Sequence, residues 1–126
     1  MGYLLDSNIV IDYLAERFTK GQLIKLDAII DAALDISIIT KIETLGFNRD
    51  AEEEMKMLRF INAANVYYLS DDIVSKTIWL RKSKKIKTPD AIIAATALVY
   101  NLDLLSRNLS DFNNIPGLKV VDPHSF

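Results

Sequence analysis

The chain has 126 residues, a formal net charge of −2 and no cysteine, and 50% of its residues are hydrophobic. The absence of cysteine excludes disulfides, thiolate metal sites and cysteine nucleophiles. The single histidine, His124, makes Ser-His-Asp catalysis and histidine-based zinc sites poor candidates. A chain of this length is expected to form a single domain over residues 1–126.

No apolar run in the sequence approaches the roughly 20 residues that a membrane-spanning helix needs. The N-terminal segment carries Asp6 where a secretory signal would carry positive charge. We therefore expect a soluble protein that stays in the cytoplasm and does not associate with membranes.

Short apolar or β-branched runs alternate with segments of helical periodicity along the chain. Strands are predicted at residues 3–5, 35–39, 66–69, 102–105 and 118–121. Helices are predicted between and after them, at residues 9–14, 20–34, from 40 onward, 50–62, 70–87 and 88–101. This alternation indicates a parallel sheet with right-handed crossovers. We predict an α/β fold of three layers (α/β/α), with a central parallel sheet of about four to five strands flanked by helices.

The last of these helices is apolar on nearly all sides, which predicts a central helix with neighbours around it. Thr88 is expected to be its N-cap and Pro89 to occupy its first position. Asp90 then lies near the positive end of the helix dipole. A carboxylate therefore stands at the entrance of a buried helix.

In an open parallel sheet, ligands bind beyond the carboxyl ends of the strands. Four acids are predicted at this edge, and we call them the acidic quartet: Asp6, Glu43, Asp90 and Asp111. Each has a structural explanation as well, because Asp6 can cap a helix and Asp111 can stabilise a turn. Glu43 can complete a capping box with Thr40, and Asp90 can complement the dipole.

Together, the four acids favour a function, since carboxylates at one edge repel one another unless a cation is present. Oxygen ligands select a hard ion such as Mg²⁺ or Mn²⁺. In the absence of a histidine base, the chemistry that suits this edge is metal-assisted hydrolysis of a phosphodiester.

Basic and small polar residues lie near the acidic quartet in the sequence. Residues 81–87 contain five cations and end three positions before Asp90. They either complement a helix dipole and are solvated, or steer phosphates, with Lys41 and Arg107 as further candidates. Three short polar residues either form turns or orient a carboxylate or a metal-bound water: Ser7, Asn8 and Asn108.

Five segments of the sequence resemble PIN domains, and specifically the VapC-type toxins of bacterial and archaeal toxin-antitoxin modules. They occur in the order and spacing of that family over nearly the full length, at residues 4–14, 38–47, 89–97, 105–112 and 115–118. The first contains Leu5-Asp6-Ser7-Asn8, and the third contains Pro89-Asp90-Ala91. One departure is Ser106, where the family more often has Thr, and a hydroxyl is retained.

The resemblance implies a Mg²⁺- or Mn²⁺-dependent endoribonuclease in which the acidic quartet is catalytic. We expect Asp6 and Asp90 to be the main metal ligands, directly or through water. It also implies a homodimer and a cognate antitoxin, whose C-terminal segment lies in an apolar groove formed by the early helices. The apolar face of residues 23–34 either contributes to that groove or is core packing.

Two alternatives to a nuclease remain at this stage. A phosphoacceptor receiver domain also has a parallel α/β fold and rim aspartates, but it needs adjacent acids after strand one, an acceptor Asp ending strand three and a late Lys. Here Asp6 stands alone after strand one, and Asp71 and Asp72 are expected to open a helix. A catalytically silent RNA-binding module would bind RNA equally in magnesium and in chelator.

Overall fold

The computed structural model describes residues 2–126, and these residues form five strands and seven α-helices around one sheet. The strands are β1 (Tyr3–Leu5), β2 (Asp35–Ser37), β3 (Asn65–Tyr67), β4 (Asp103–Leu105) and β5 (Val120–Val121). The helices are α1 (Ser7–Leu14), α2 (Lys20–Ala32), α3 (Ile38–Leu45), α4 (Ala51–Asn62), α5 (Asp71–Ser83), α6 (Thr88–Val99) and α7 (Leu109–Phe112). A 3₁₀ helix at Pro123–Ser125 follows β5.

The strands are all parallel and lie in the order β3-β2-β1-β4-β5, so the predicted three-layer α/β/α architecture is confirmed. β1 is central, and its residue Leu5 pairs with Leu105 of β4. Receiver domains have the order 2-1-3-4-5. The strand order therefore contradicts the receiver alternative.

Successive residues of the strands face opposite sides of the sheet. Leu4 and Leu104 pack in one hydrophobic cluster with α5 and α6. Leu5 and Leu105 pack in a second cluster with α1, α2 and α4. Helix α6 is buried along most of its length, in agreement with its apolar sequence. It ends at Val99 with Tyr100 as its C-cap, and the positive φ of Asn101 (54°) turns the chain towards β4.

Several local predictions were wrong, and among them Pro89 is the second rather than the first residue of α6, and α5 ends at Ser83 rather than at residue 87. Ile38 and Ile39 were expected to extend the second strand, but they begin α3 because the Ser37 hydroxyl caps the helix by accepting from the Ile39 and Thr40 amides. Ser37 therefore replaces Thr40 as the first residue of the cap. The N-cap of α6 is Lys87, which makes no side-chain cap, and Thr88 is the first helical residue.

The carboxyl ends of the strands lie at one edge of the sheet because all strands run in the same direction. Asp6 follows β1 directly, Ser37 ends β2, and Ser106 follows β4. Asp6 begins α1 as its N-cap and also donates its backbone N–H to the carbonyl of Leu105. This edge therefore brings together side chains separated by about a hundred positions of chain.

Candidate functional site

Asp6 is the most firmly held member of the acidic quartet. It is 5% exposed, and its Oδ1 accepts the backbone N–H of Ser7 at 2.8 Å. Its Oδ2 accepts the Ser106 hydroxyl at 2.7 Å and the Asn8 amide at 3.2 Å. The capping role and the position at the site edge thus coexist in one carboxylate. These hydrogen bonds hold the carboxylate in a single orientation.

Ser7 links Asp6 to Glu43. The Ser7 hydroxyl donates to Glu43 Oε1 at 2.6 Å and lies 3.3 Å from the Thr40 hydroxyl. Glu43 lies in the second turn of α3 and is exposed, so its side-chain bond is to Ser7 rather than to a capping position. The buried Thr40 was not anticipated as a site residue. Its hydroxyl after an apolar strand was the only signal in the sequence.

The pKa of Asp90 is affected by the charges of the other three acids of the quartet. Burial raises the pKa of Asp90, and the charges of Asp6, Asp111 and Glu43 raise it further, against the attraction of Lys87. Asp90 lies in the first turn of α6, at the positive end of the dipole, as predicted.

Asp6 is likewise disfavoured in its charged form. Burial raises the pKa of Asp6 and the charge of Glu43 adds to the effect, although hydrogen bonds from Ser106, Ser7 and Asn8 oppose it. Two carboxyl groups with raised pKa values at one edge are a common feature of functional sites. The physical reason is chiefly the burial of these two carboxyl groups, and repulsion from neighbouring acids adds to it.

Asp111 lies in α7 rather than in the loop expected from the sequence, and its carboxylate is exposed. Asn108 is the N-cap of α7, and its backbone N–H donates to the Ser106 hydroxyl at 3.0 Å. The Asn8 Oδ1 accepts the backbone N–H of Arg107 at 3.1 Å. Asn8 and Ser106 therefore tie the α7 segment to Asp6, and Ser106 was missing from the predicted site residues.

The two single cations expected near the site make other contacts. The Lys41 ammonium lies 3.3 Å from the Tyr68 hydroxyl and 5.8 Å from the centre of that ring. The Arg107 guanidinium lies 3.4 Å from the buried carboxylate of Asp12. A role for either in binding substrate stays a prediction.

Asp12 is a buried carboxylate that the sequence did not single out. His124 Nε2 lies 2.9 Å from its Oδ2, and the Arg17 guanidinium lies 3.0 Å from its Oδ1. Burial opposes its ionisation, but the bonds from His124 and Arg17 and the charge of Arg107 outweigh that effect and lower the pKa of Asp12. The signal was an acid inside the apolar run of α1.

The donor chemistry of the edge fits a hard divalent cation, since every candidate ligand is an oxygen. Within residues 2–126, no three acidic or histidine side chains are arranged closely enough to hold a metal ion together. Mg²⁺, however, is usually bound through one or two carboxylates and keeps several waters. Asp6 and Asp90 match this number of carboxylates, and a cation beside them would offset the repulsion that adds to the effect of burial on their pKa values.

The apolar face of residues 23–34 is largely core packing. Leu26 is buried, and Leu23, Ile29 and Ile30 pack partly against the cluster that contains Leu5. Ile24 remains 75% exposed. Among residues 2–126, no helix has the length and apolar character needed to cross a membrane.

Fold and site together define a parallel α/β domain with four acids at the carboxyl edge of its sheet, and comparisons with known proteins are consistent with this. The PIN domain family model matches residues 3–118. A toxin-antitoxin complex from Klebsiella pneumoniae is 33% identical, covering 97% of this chain and 98% of that chain, with a TM-score of 0.76. The chain therefore belongs to the PIN domain family.

Two further structures are similar over almost their whole length. VapBC-1 from nontypeable Haemophilus influenzae is 27% identical, covers 98% of each chain and has a TM-score of 0.78. DNA-bound VapBC from Salmonella typhimurium is 21% identical, covers 98% of each chain and has a TM-score of 0.81, and it supports the fold alone. A comparison with curated proteins found no match. These similarities identify a VapC-type PIN domain, in agreement with the resemblance of the sequence motifs.

Proposed function

We propose that this chain is a Mg²⁺- or Mn²⁺-dependent endoribonuclease and the toxin of a toxin-antitoxin pair. Membership of the PIN domain family supports nuclease activity. The observation that carries the proposal is the cluster at the carboxyl edge, where Ser7 joins Asp6 to Glu43 by hydrogen bonds and the charges of the other three acids add to the raised pKa of Asp90. A polyanionic substrate would be repelled by this edge without a cation, so the metal and the substrate are proposed together.

When bound, Mg²⁺ or Mn²⁺ would polarise the scissile phosphate and lower the pKa of a coordinated water. Asp6 and Asp90 would hold the ion, directly or through water. The hydrogen bonds from Ser106, Asn8 and the Ser7 amide would keep Asp6 oriented towards it.

Glu43 and Asp111 would complete the charge of the site and accept the proton of the attacking water. Glu43 is held by the Ser7 hydroxyl, whereas Asp111 is exposed on a four-residue helix. In-line attack at phosphorus would leave a 5′-phosphate and a 3′-hydroxyl on the cleaved RNA.

An antitoxin is proposed as the protein partner, because the similar structures include toxin-antitoxin complexes. A cleft of about 470 Å³ between α1, the α3–α4 connection and α4 is a suitable place for its terminal segment. Its lining combines the apolar Ile11, Leu14 and Met57 with the cations Arg17 and Lys56. A homodimer, which the family resemblance implies, is part of the same proposal and is tested by light scattering on the purified chain.

The direct test compares the wild type with Asp90→Asn and with Asp31→Asn, a control that neutralises an exposed acid on α2. Asp90→Asn keeps the shape and size of the side chain, so we expect folding to be unaffected and RNA cleavage in Mg²⁺ or Mn²⁺ to be abolished. Asp31→Asn should cleave like the wild type. Undiminished cleavage by purified Asp90→Asn would refute the assignment.

The same cleavage assay distinguishes a nuclease from the alternative, a catalytically silent RNA-binding module. A nuclease loses activity in excess chelator and regains it when Mg²⁺ or Mn²⁺ is restored. A silent module binds RNA equally in both conditions and never cleaves it. Induced expression of the chain alone, with growth as the readout, tests the role as a toxin.

A further inference from the structure

A second binding feature lies beside the acidic quartet, where the α5–α6 connection faces α7. A polar cleft of about 250 Å³ separates these two segments. Lys84 and Lys85 line one wall, and Ser110, Asn113 and Asn114 line the other. We call it the lysine cleft. The sequence left open whether the cationic run of residues 81–87 is merely solvated, and the cleft now gives two of its lysines a defined place.

The walls of the lysine cleft are fixed by the core below it. Ile86 and Ile115 also line the cleft, and both belong to the hydrophobic cluster around α6, with exposures of 8% and 5%. The Arg81 guanidinium donates to the carbonyl of Ile86, and the Lys84 amide donates to the carbonyl of Leu80. The backbone of the connection is therefore held by these hydrogen bonds and by the core.

The two lysines are available for a ligand. In the part of the chain that the structure describes, neither ammonium forms a salt bridge. Lys85 is exposed and Lys84 is partly buried. The opposite wall offers a hydroxyl and two carboxamides, which can donate to phosphate oxygens or to the polar edges of bases. These chemical groups suit a nucleic-acid backbone.

The lysine cleft is continuous with the acidic quartet through Asp111, which lines it. The charge of Asp111 also acts on Asp90, and the charge of Lys87 opposes it. Along this path the charge changes from two cations to carboxylates. An acidic peptide would meet the lysines but would then be repelled by Asp111. An RNA strand can place one phosphate at a metal-loaded acidic quartet and neighbouring phosphates at the lysines.

We propose that the lysine cleft is a substrate subsite that binds one or two backbone phosphates of single-stranded RNA next to the scissile bond, through Lys84 and Lys85. This inference rests on the proposed endoribonuclease function. It adds a direction to the substrate path, from the acidic quartet along α7 to the end of α5.

The test uses the double variant Lys84→Gln/Lys85→Gln of the full chain. Its matched control is Lys25→Gln/Lys119→Gln, which removes the same charge from two exposed positions near the opposite ends of the strands. The activity probe is an RNA that the wild type cleaves. We expect the cleft variant to raise KM about tenfold with kcat within about twofold, because it loses binding and retains the acids. The control should match the wild type.

Binding is measured separately on the Asp90→Asn background, with a fluorescein-labelled 20-nucleotide RNA of mixed sequence and a series of salt concentrations. Loss of two phosphate contacts should make the slope of log Kd against log salt shallower by about 1.4, since each single-strand contact contributes about 0.7. Lys84→Arg/Lys85→Arg should restore both affinity and slope, because it retains the charge.

The outcomes separate this inference from the function on which it rests. If the wild type cleaves RNA and the cleft variant behaves like the control, the subsite is wrong and the nuclease stands. If no metal restores cleavage but the cleft variant alone loses RNA binding, the nuclease is wrong, and the lysine cleft is an RNA-binding site but not a substrate subsite. Equal weakening of RNA binding by the cleft variant and the control variant would overturn the subsite. Polyglutamate that displaces RNA from the control variant but not from the cleft variant would overturn it as well.

Discussion

Asp6 and Asp12 are two buried carboxylates at opposite ends of α1, and their surroundings differ in one respect. Asp6 receives neutral hydrogen bonds and faces other acids, and its pKa is raised. Asp12 is surrounded by Arg17, Arg107 and His124, and its pKa is lowered. The comparison teaches that the fold supplies positive charge to Asp12 but places another acid beside Asp6, where the proposed metal ion would provide the positive charge.

The largest expected difference between these acids is in catalysis. Asp6→Asn should lower the rate of RNA cleavage about a thousandfold, equivalent to about 4 kcal/mol of transition-state free energy. The substitution removes a charge that the folded protein disfavours, so the melting temperature should stay the same or rise. Cleavage kinetics and thermal melting of the same preparations provide the measurement. If Asp6→Asn lost both folding and activity, the distinction between a catalytic Asp6 and a structural Asp12 would be wrong.

The next largest effect is on stability and concerns Asp12. Asp12→Asn leaves three basic side chains around an uncharged group, and we expect a loss of about 3 kcal/mol in the free energy of unfolding. Urea denaturation measures it, with Asp31→Asn as the exposed control. If Asp12→Asn lowered the free energy of unfolding by less than the control does, the cluster around Asp12 would be dispensable for stability.

Metal binding should stabilise the folded protein through Asp6 and should not depend on Asp12. At a concentration of Mg²⁺ or Mn²⁺ 100 times the Kd, binding to the folded state adds about 2.7 kcal/mol. The melting temperature of the wild type and of Asp12→Asn should therefore rise, and that of Asp6→Asn should not. An equal rise in all three proteins would place the bound ion away from Asp6.

Single cations around Asp12 should matter less than the carboxylate itself. The Arg17 side chain is 57% exposed, and a partly solvated ion pair contributes about 1 kcal/mol or less. Arg17→Gln should therefore cost clearly less than Asp12→Asn in urea denaturation. If the two costs were equal, Arg17 alone would account for the neutralisation.

The smallest effect is the pH dependence of stability, which has opposite signs at the two acids. A lowered pKa in the folded state means that the stabilisation by Asp12 is fully present above about pH 3.9, the ordinary Asp pKa, and is lost as pH falls through the folded pKa. The stability difference between wild type and Asp12→Asn should shrink there.

The raised pKa of Asp6 acts in the other direction. The folded protein holds this proton more tightly than the unfolded chain, so the wild type loses stability relative to Asp6→Asn as pH rises from about 3.9 through the raised pKa. Unfolding curves of the three proteins at several pH values measure both trends. Parallel trends would contradict the contrast between the two acids.

Local sequence was sufficient for most of the fold, with errors where one side chain overrides a propensity. The alternation of strands and helices predicted the parallel sheet, and the apolar sequence of α6 predicted a central helix. Ile38 and Ile39 are β-branched and looked like strand, but the Ser37 hydroxyl satisfies two amides and starts a helix. The four-residue α7 and the terminal 3₁₀ helix are too short for a periodic signal.

The sequence by itself determined that four acids follow strand ends or open the central helix, because strand direction and helix starts are encoded by neighbouring residues. Only the tertiary structure decided which polar groups meet them. Ser106 reaches Asp6 from 100 positions away, and His124 reaches Asp12 from 112. Such contacts depend on how whole elements pack, and the burial that turns a carboxylate into a site or into a structural ion pair exists only after they have packed.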